Sequence, residues 1–157
     1  MTEDSANYSL PPMMPDLQSA LLCDDVRQER NGKFILIGLY DALALHTFPS
    51  RQPRLCIVTR WCSGLGTFTQ HTRIVAPDQE TVIMDGRLIP VELTSPEASR
   101  TNVELFMNVT FREPGTYWME ILLDNDLKLR FPLRVIQRTP PPPGTPGMPP
   151  PGEGPGF

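Results

Sequence analysis

Apolar and polar residues alternate over much of this chain with the period of two that is typical of half-buried β-strands. The clearest run lies between Asn102 and Phe111, where every second residue is apolar. A similar run extends from Leu127 to Ile136, although Pro132 lacks a backbone donor, which predicts a sheet edge or a bulge there. No long segment has the period of a helix. The pattern therefore predicts an all-β protein.

The segment 111–123 indicates which all-β architecture to expect. A turn at Pro114-Gly115 leads into a strand that opens with Tyr117, and the polar turn 124–126 separates this strand from the last one. The last two strands of an immunoglobulin-like sandwich have this arrangement, with a tyrosine hydroxyl bonded to the backbone a few residues upstream. We therefore predict an antiparallel, immunoglobulin-like β-sandwich with Greek-key connections and a tyrosine corner at Tyr117, after Gly115.

The first half of the chain contains the strongest hairpin signal, Asn31-Gly32, because both residues tolerate the positive φ angles of a type I′ turn. After a first strand at 17–23, we expect this turn to join a ribbon at 26–30 to a strand at 33–43. Residues 34–40 are apolar on both faces. We predict that they form a central strand whose outer face is covered by the N-terminal segment or by a partner.

A face of the segment 54–62 is predicted to point into the core; it consists of Leu55, Ile57, Thr59 and Trp61. Further strands are expected at 67–75, 81–84 and 87–93. Immunoglobulin domains of antibodies join their two sheets with a disulfide, but Met119 stands where the second cysteine would be. We therefore expect apolar packing around Trp61 to hold the sheets together.

The two ends of the chain differ from the middle in composition. Residues 1–15 are predicted to be a flexible arm and residues 16–138 the sandwich domain. From Pro140 to Phe157, nine of eighteen residues are proline and five are glycine. Such a segment has almost nothing to bury, so we predict that 139–157 is a disordered, proline-rich tail. It is either a ligand for an aromatic-lined groove or a spacer.

The overall charge narrows the choice of partners. The 157 residues carry a formal net charge of -4, and no basic patch stands out along the sequence. This argues against nucleic acid or a membrane surface as the main partner. The three cysteines have no metal-ligand spacing, and neither a signal peptide nor a membrane span is recognisable. We expect free thiols in a soluble, cytoplasmic protein.

The acidic residues most worth weighing as a site are Asp24, Asp25 and Asp41, with Arg27 beside them. Two carboxylates could bind a hard cation or act as acid and base. The alternative is a bend before the hairpin, in which the aspartates bond to nearby backbone and Arg27 balances their charge. We favour this alternative, so we assign no metal, no cofactor and no catalytic residue.

Other candidates for chemistry have simpler structural interpretations. The turn 124–126 lacks the further oxygen ligands of a calcium loop and is explained by a hairpin. The only histidines are His46 and His71, and neither lies at a recognised catalytic spacing. Cys62 and His71 could meet across adjacent strands, but no local signature supports a thiol–imidazole pair. An enzyme is therefore the least favoured function.

Four motifs carry a resemblance to a known family. They are Cys23-Asp24-Asp25-Val26-Arg27, Asn31-Gly32-Lys33, Ile37-Gly38-Leu39-Tyr40-Asp41 and Phe131-Pro132-Leu133-Arg134-Val135. With them the chain resembles a family of small, uncharacterised bacterial proteins over about residues 15–138. The resemblance implies a bacterial, intracellular β-sandwich and no catalytic activity.

Two functions remain open at this stage. The first is a non-enzymatic interaction or structural module that binds a protein partner, including another copy of itself, through a sheet edge or its end loops. The second is a small-ligand or carbohydrate-binding module, with an exposed Trp118 or Trp61 as stacking platform and Asp24, Asp25 or Asp41 as polar contacts. Because Trp118 lies on the face opposite Tyr117, it is the better platform.

Overall fold

The computed structural model describes residues 10–139 and residue 143. The strands in this part of the chain are β1 (Asp16–Gln28), β2 (Phe34–Leu39), β3 (Ala42–Leu45), β4 (Ser50–Cys62), β5 (Gly66–Val75), β6 (Val82–Leu93), β7 (Ser99–Phe111), β8 (Gly115–Leu123) and β9 (Asp126–Gln137). The predictions for residues 1–9 and for the rest of the proline-rich tail lie outside the described residues. Among the residues that are described, no helix is long and apolar enough to cross a membrane.

The strands form two sheets that pack on each other. One sheet has four strands in the order β2-β1-β4-β7, and the other has five in the order β3-β9-β8-β5-β6. Neighbouring strands are antiparallel except for β3 and β9, which are parallel. The prediction of an all-β, two-sheet protein is confirmed, and the finer immunoglobulin-like assignment stays a prediction.

The core lies between the sheets and draws on both of them. Its largest fully buried side chains include Trp61, Tyr117, Phe111, Leu55 and Ile57. Trp61 is 0 % exposed, so the prediction that its face points inward is confirmed. The described cysteines, Cys23, Cys56 and Cys62, are all free thiols, as predicted. Apolar packing rather than a disulfide therefore holds the two sheets together.

Tyr117 makes the predicted corner. Its hydroxyl donates a hydrogen bond to the backbone oxygen of Glu113 at 2.8 Å. Its ring packs edge-on against Phe111, with the ring centroids 4.9 Å apart and the planes at 87°. Gly115 precedes it with a φ of +155°, and a Cβ there would lie 3.0 Å from Pro77. The turn and the first residues of β8 are thus fixed by one hydrogen bond and one aromatic pair.

The prediction that residues 34–40 form a central strand is wrong. In the structure β2 pairs only with β1 and is an edge strand, and the chain then breaks at Tyr40-Asp41 and crosses to the other sheet as β3. The strand buried on both faces is β4, where residues 55–59 are all buried. An apolar sequence on both faces indicates burial only when something covers the strand, and here β1 covers one edge alone.

The hairpin at Asn31-Gly32 is confirmed, but its turn type is wrong. Only Gly32 has a positive φ, +88°, and its amide donates to the backbone oxygen of Glu29 at 2.9 Å. This is a tight turn closed by one left-handed glycine, as in a three-residue hairpin loop. The type I′ signature, positive φ at two consecutive residues, occurs instead at Asp124 (+48°) and Asn125 (+68°), between β8 and β9.

Two further boundaries differ from the sequence prediction. The expected strands at 81–84 and 87–93 form one strand, β6, which continues through Gly86. A Cβ at Gly86 would lie 2.5 Å from the backbone oxygen of Thr72, so only glycine fits between β5 and β7. Strand β9 lies inside its sheet, yet β3 pairs with it only from Arg134 onward. At Pro132 the strand is therefore locally an edge, which accommodates the missing donor.

Candidate interaction surface

The outer edge of the four-stranded sheet exposes a run of apolar side chains. Strand β2 bonds to β1 on one side, and no strand that the structure describes pairs with the other side. Four of its six residues are exposed apolar side chains: Phe34 (39 %), Ile35 (44 %), Ile37 (40 %) and Leu39 (59 %). The strand carries no charge and no proline. Its free edge is therefore an apolar ladder with open backbone donors and acceptors.

The apolar character continues onto the outer face of the same sheet. Leu21 on β1 is exposed, and so are three residues of β7: Val103, Leu105 and Met107. Beneath them lies a small second cluster in which Cys23, Cys56 and Val58 are buried and Val26 and Leu36 are half-buried. Contiguous apolar surface of this kind marks interaction sites in soluble proteins.

A shallow groove crosses this outer face from β2 to β7. Its apolar lining consists of Leu21, Phe34, Leu36 and Val58. Its polar lining consists of Ser19, Asn31, Gly32, Lys33, Arg60, Ser99, Arg100 and Thr101. The groove is open to solvent and has a volume of about 860 Å³.

Neutral oxygens hold Arg60 flat across the sheet. Its Nε, Nη1 and Nη2 donate to Gln18 Oε1, Thr101 Oγ1 and Ser99 Oγ, at 3.1, 3.0 and 2.8 Å. These contacts fix the guanidinium on the sheet surface without neutralising its charge. A planar, fixed guanidinium is well suited to binding a carboxylate.

The predicted acidic cluster does not converge on one site. The hydroxyl of Tyr40 donates to the carboxylate of Asp24. The carboxylate of Asp25 accepts from Arg54 at 2.6 Å and from the backbone amide of Val26 at 2.9 Å. Arg27 lies 3.6 Å from the other oxygen of Asp25. Burial, reinforced by the bond to Asp24, raises the pKa of Tyr40, so this hydroxyl stays protonated.

Asp41 stands apart from the other two aspartates. It is exposed at the crossing from β2 to β3, where it lines a small pocket with Tyr40, Leu39 and Phe131. Among the residues that the structure describes, no group of three histidine, cysteine or acidic side chains is placed to hold a metal ion. The expected bend is absent, because strand β1 continues through Asp24 and Asp25. Asp25 bonds the adjacent amide as expected, but Asp24 and Asp25 also bond Tyr40 and Arg54 on neighbouring parts of the sheet.

The two tryptophans differ in exposure. Trp61 is fully buried, and its indole N–H donates to Gln70 Oε1 at 2.7 Å. Trp118 is half-buried on the five-stranded sheet, and the guanidinium of Arg130 lies 6.0 Å from its ring centroid. Arg130 is in turn fixed by Glu120, whose carboxylate also accepts from Arg73. Trp118 is therefore part of a stacked, ion-paired patch.

The remaining candidates for chemistry are engaged in separate contacts. His71 Nε2 lies 2.6 Å from Asp85 Oδ1 on the neighbouring strand, and Cys62 accepts a bond from Ser63. His46 Nδ1 lies 3.3 Å from the backbone oxygen of Arg138. The turn residue Asp124 accepts from the backbone amide of Thr69. Each of these residues therefore makes a contact that is consistent with a structural role.

Sequence reasoning missed two features of this surface. The groove residues Lys33, Arg60 and Arg100 are spread over 68 positions, and only the pairing of β1, β4 and β7 brings them together. The direct pairing of Cys23 with Cys56 was missed for the same reason. The sequence contains a signal for this surface, since residues 34–39 are apolar throughout. The same pattern, however, led to the prediction of a central strand.

No curated protein matches the chain. The model of one protein family, described as a family of unknown function (DUF6941), matches residues 18–136. This span runs from β1 to β9 and so takes in the edge, the outer face and the groove. The resemblance to an uncharacterised family is confirmed.

Proposed function

We propose that this chain, which belongs to the family of unknown function DUF6941, is a non-enzymatic interaction module that associates with a second copy of itself through the free edge of β2. One observation carries the proposal: β2 is an exposed edge strand with four exposed apolar side chains and no charge. Its three free cysteines support a cytoplasmic setting for this module.

The other sheet edges are protected and β2 is not. Natural proteins guard edge strands with charges, proline, bulges or short length, because an open edge recruits other strands. Strand β6 has Pro90 and the charged residues Asp85, Arg87 and Glu92, and β3 is only four residues long. Strand β7 is approached by β6, since the backbone amide of Arg87 donates to Glu104 on β7. The edge of β2 is left for a partner.

A second copy of the chain fits this edge. Two β2 strands related by a twofold axis would pair antiparallel, so that each residue meets its counterpart reciprocally. Because the strand is uncharged, no like charges would face each other across the pair. The pairing would satisfy the open backbone groups and join the two four-stranded sheets into one. It would also cover the apolar side chains that an isolated chain exposes.

The test is the mass of the full-length chain by size-exclusion chromatography with light scattering, over a dilution series. We expect a dimer that dissociates on dilution, and a monomer for Ile37→Lys, since an inserted lysine is how natural edges prevent pairing. The matched control is Leu88→Lys, which places the same charge on an exposed residue of the edge strand β6. A wild-type monomer at every concentration, or equal dimerisation of Ile37→Lys and wild type, would overturn the proposal.

The carbohydrate-binding alternative has less support. It needs an indole with a free face, whereas Trp61 is buried and Arg130 covers one face of Trp118. Of the acidic residues chosen as its polar contacts, Asp24 is bonded to Tyr40, and Asp25 is bonded to Arg54 and paired with Arg27. Interaction through the four-stranded sheet is therefore the function that these contacts favour.

A further inference from the structure

The groove on the outer face of the four-stranded sheet combines two kinds of lining. Its floor is apolar, with Leu21 and Val58 in the middle and Phe34 and Leu36 at the β2 end. Two cationic side chains, Lys33 and Arg60, lie along it. Arg100 also borders the groove, but it pairs in register with the inward-facing Trp61 and its Nε donates to the core residue Asn102. No acidic residue lines it. In a chain of net charge -4, this is a local concentration of positive charge over an apolar surface.

The cationic side chains of the groove have no acidic partner, whereas several arginines elsewhere in the described chain do. Arg54 pairs with Asp25, and Arg73 and Arg130 pair with Glu120. Within the part of the chain that is described, Lys33, Arg60 and Arg100 form no ion pair. The groove therefore presents uncompensated positive charge, which a ligand with carboxylates would complement.

Arg60 is prepared for such a ligand. A guanidinium has five N–H donors, and three of those of Arg60 bond to Gln18, Thr101 and Ser99. The remaining donors are free to bind a carboxylate, and the side chain does not have to be ordered first. Preorganisation of this kind lowers the entropic cost of binding.

We infer that this groove binds a peptide segment in which acidic side chains alternate with apolar ones. The apolar side chains would contact Leu21, Phe34 and Val58, and the carboxylates would bind Arg60 and Lys33. Two cations are few for a nucleic acid, whose affinity grows with the number of neutralised phosphates and with stacking on aromatic residues. A flat anionic membrane does not match a concave floor. A peptide fits both linings.

This site shares Phe34 and Leu36 of β2 with the dimer edge proposed above and is otherwise separate from it. Phe34 and Leu36 line the groove, whereas Ile35, Ile37 and Leu39 do not. The variant Ile37→Lys should therefore abolish dimerisation and leave peptide binding intact. The dimerisation test and the peptide-binding test can therefore fail independently of each other.

The experiment is a selection from a random-peptide display library on the immobilised full-length chain, followed by affinity measurements on the enriched peptides. We expect enriched peptides to combine aspartate or glutamate with leucine or phenylalanine. Their affinity should fall by about tenfold or more in Arg60→Glu, because a charge-assisted hydrogen bond is replaced by repulsion. The affinity should also fall with rising salt.

The matched control is Arg134→Glu, the same change at an exposed arginine on the other sheet. It should bind the peptides as the wild type does. Enrichment of peptides without acidic residues, or equal affinity of Arg60→Glu and wild type, would overturn the inference. So would binding of a single-stranded oligonucleotide or of anionic phospholipid vesicles more tightly than any peptide, with loss in Arg60→Glu.

Discussion

Gln70 lies at the centre of a buried polar network that links the two sheets. Its side-chain oxygen accepts from Thr59 and from the indole of Trp61, both at 2.7 Å, and from Asn102 at 3.3 Å. Its amide donates to Thr72 at 3.3 Å. All of these groups are buried. The network requires one relative position of the sheets, because any sliding would leave buried polar atoms without partners.

Replacing Trp61 with alanine should cost about 3–5 kcal/mol of unfolding free energy, since it removes the largest fully buried side chain and its hydrogen bond to Gln70. Chemical denaturation measures this cost. The control is Leu88→Ala, an exposed position, which should change the free energy by no more than about 0.5 kcal/mol. A near-silent Trp61→Ala would show that the core does not depend on this side chain.

Glu104 is the other residue whose burial has consequences. It is 2 % exposed, one carboxyl oxygen accepts from the backbone amide of Arg87, and the second oxygen is the one buried polar side-chain atom of the described chain without a hydrogen-bond partner. Burial raises the pKa of Glu104, against smaller opposing contributions from Thr72 and Arg87. Folding therefore favours the protonated carboxyl.

The stabilising contribution of protonated Glu104 is fully present below the pKa of an unfolded glutamate, about 4.3. It is lost as the pH rises through the raised pKa of the folded state. The variant Glu104→Gln should therefore gain stability relative to the wild type as the pH rises from this value, by about 1.4 kcal/mol per unit of raised pKa. Urea denaturation across the pH range measures the difference.

The matched control for this pH dependence is Glu120→Gln, which should show the opposite sign. Burial opposes the charge of Glu120, but bonds from Arg73 and Arg130 more than offset it and the pKa is lowered. The stability from this carboxylate is present above the unfolded pKa and is lost as the pH falls. If both variants shift in the same direction with pH, the assignment of Glu104 as a protonated core residue is wrong.

At the scale of elements, the turns show what a sequence specifies and what it leaves open. Positive φ favours glycine, asparagine and aspartate, so the sequence predicts where many turns occur. It does not determine how many residues each loop takes, since this depends on the register of the flanking strands. For that reason the hairpin at Asn31-Gly32 was predicted with the wrong turn type, and the type I′ turn at Asp124-Asn125 was predicted only as a hairpin.

Asn125 offers a direct test of the type I′ assignment. Its φ is +68°, a conformation that costs free energy for any residue with a Cβ and least for glycine. Because Asn125 is exposed, Asn125→Gly should raise the unfolding free energy by about 0.5–1 kcal/mol. The control is Gly32→Ala, which should lower it, since Gly32 has a φ of +88°. A destabilised Asn125→Gly would contradict this geometry.

For the strands and the candidate surface, too, the sequence specifies some features and leaves others open. Alternation predicted β4, β7 and β9 because one face of each strand lies in the core. Alternation could not show that β4 rather than β2 lies inside the sheet, since the position of a strand depends on partners that are distant in the sequence. Nor could it gather Arg60 beside Phe34. For the acidic residues the sequence indicated only the contacts of Asp25 with Val26 and Arg27, and not the bonds of Asp24 to Tyr40 and of Asp25 to Arg54, which depend on strand pairing.

For the whole molecule, the two sheets have different outer faces. The five-stranded sheet presents the ion-paired patch in which Arg73 and Arg130 share the carboxylate of Glu120. The four-stranded sheet presents exposed apolar side chains, a free edge and unpaired cations. The second face combines a free, uncharged edge strand with exposed apolar side chains. Binding through this face is thus the property that the fold as a whole supports.

The remaining question at this scale is whether the proline-rich tail contributes to the domain. The last strand ends at Gln137, and the backbone amide of Arg138 donates to Leu45 at 2.8 Å, which anchors the chain end to β3. A chain that ends at Thr139 should therefore keep its unfolding free energy within about 0.5 kcal/mol and its dimer. Chemical denaturation and light scattering measure both. A loss of stability or of the dimer would show that residues 140–157 bind the domain rather than act as a spacer.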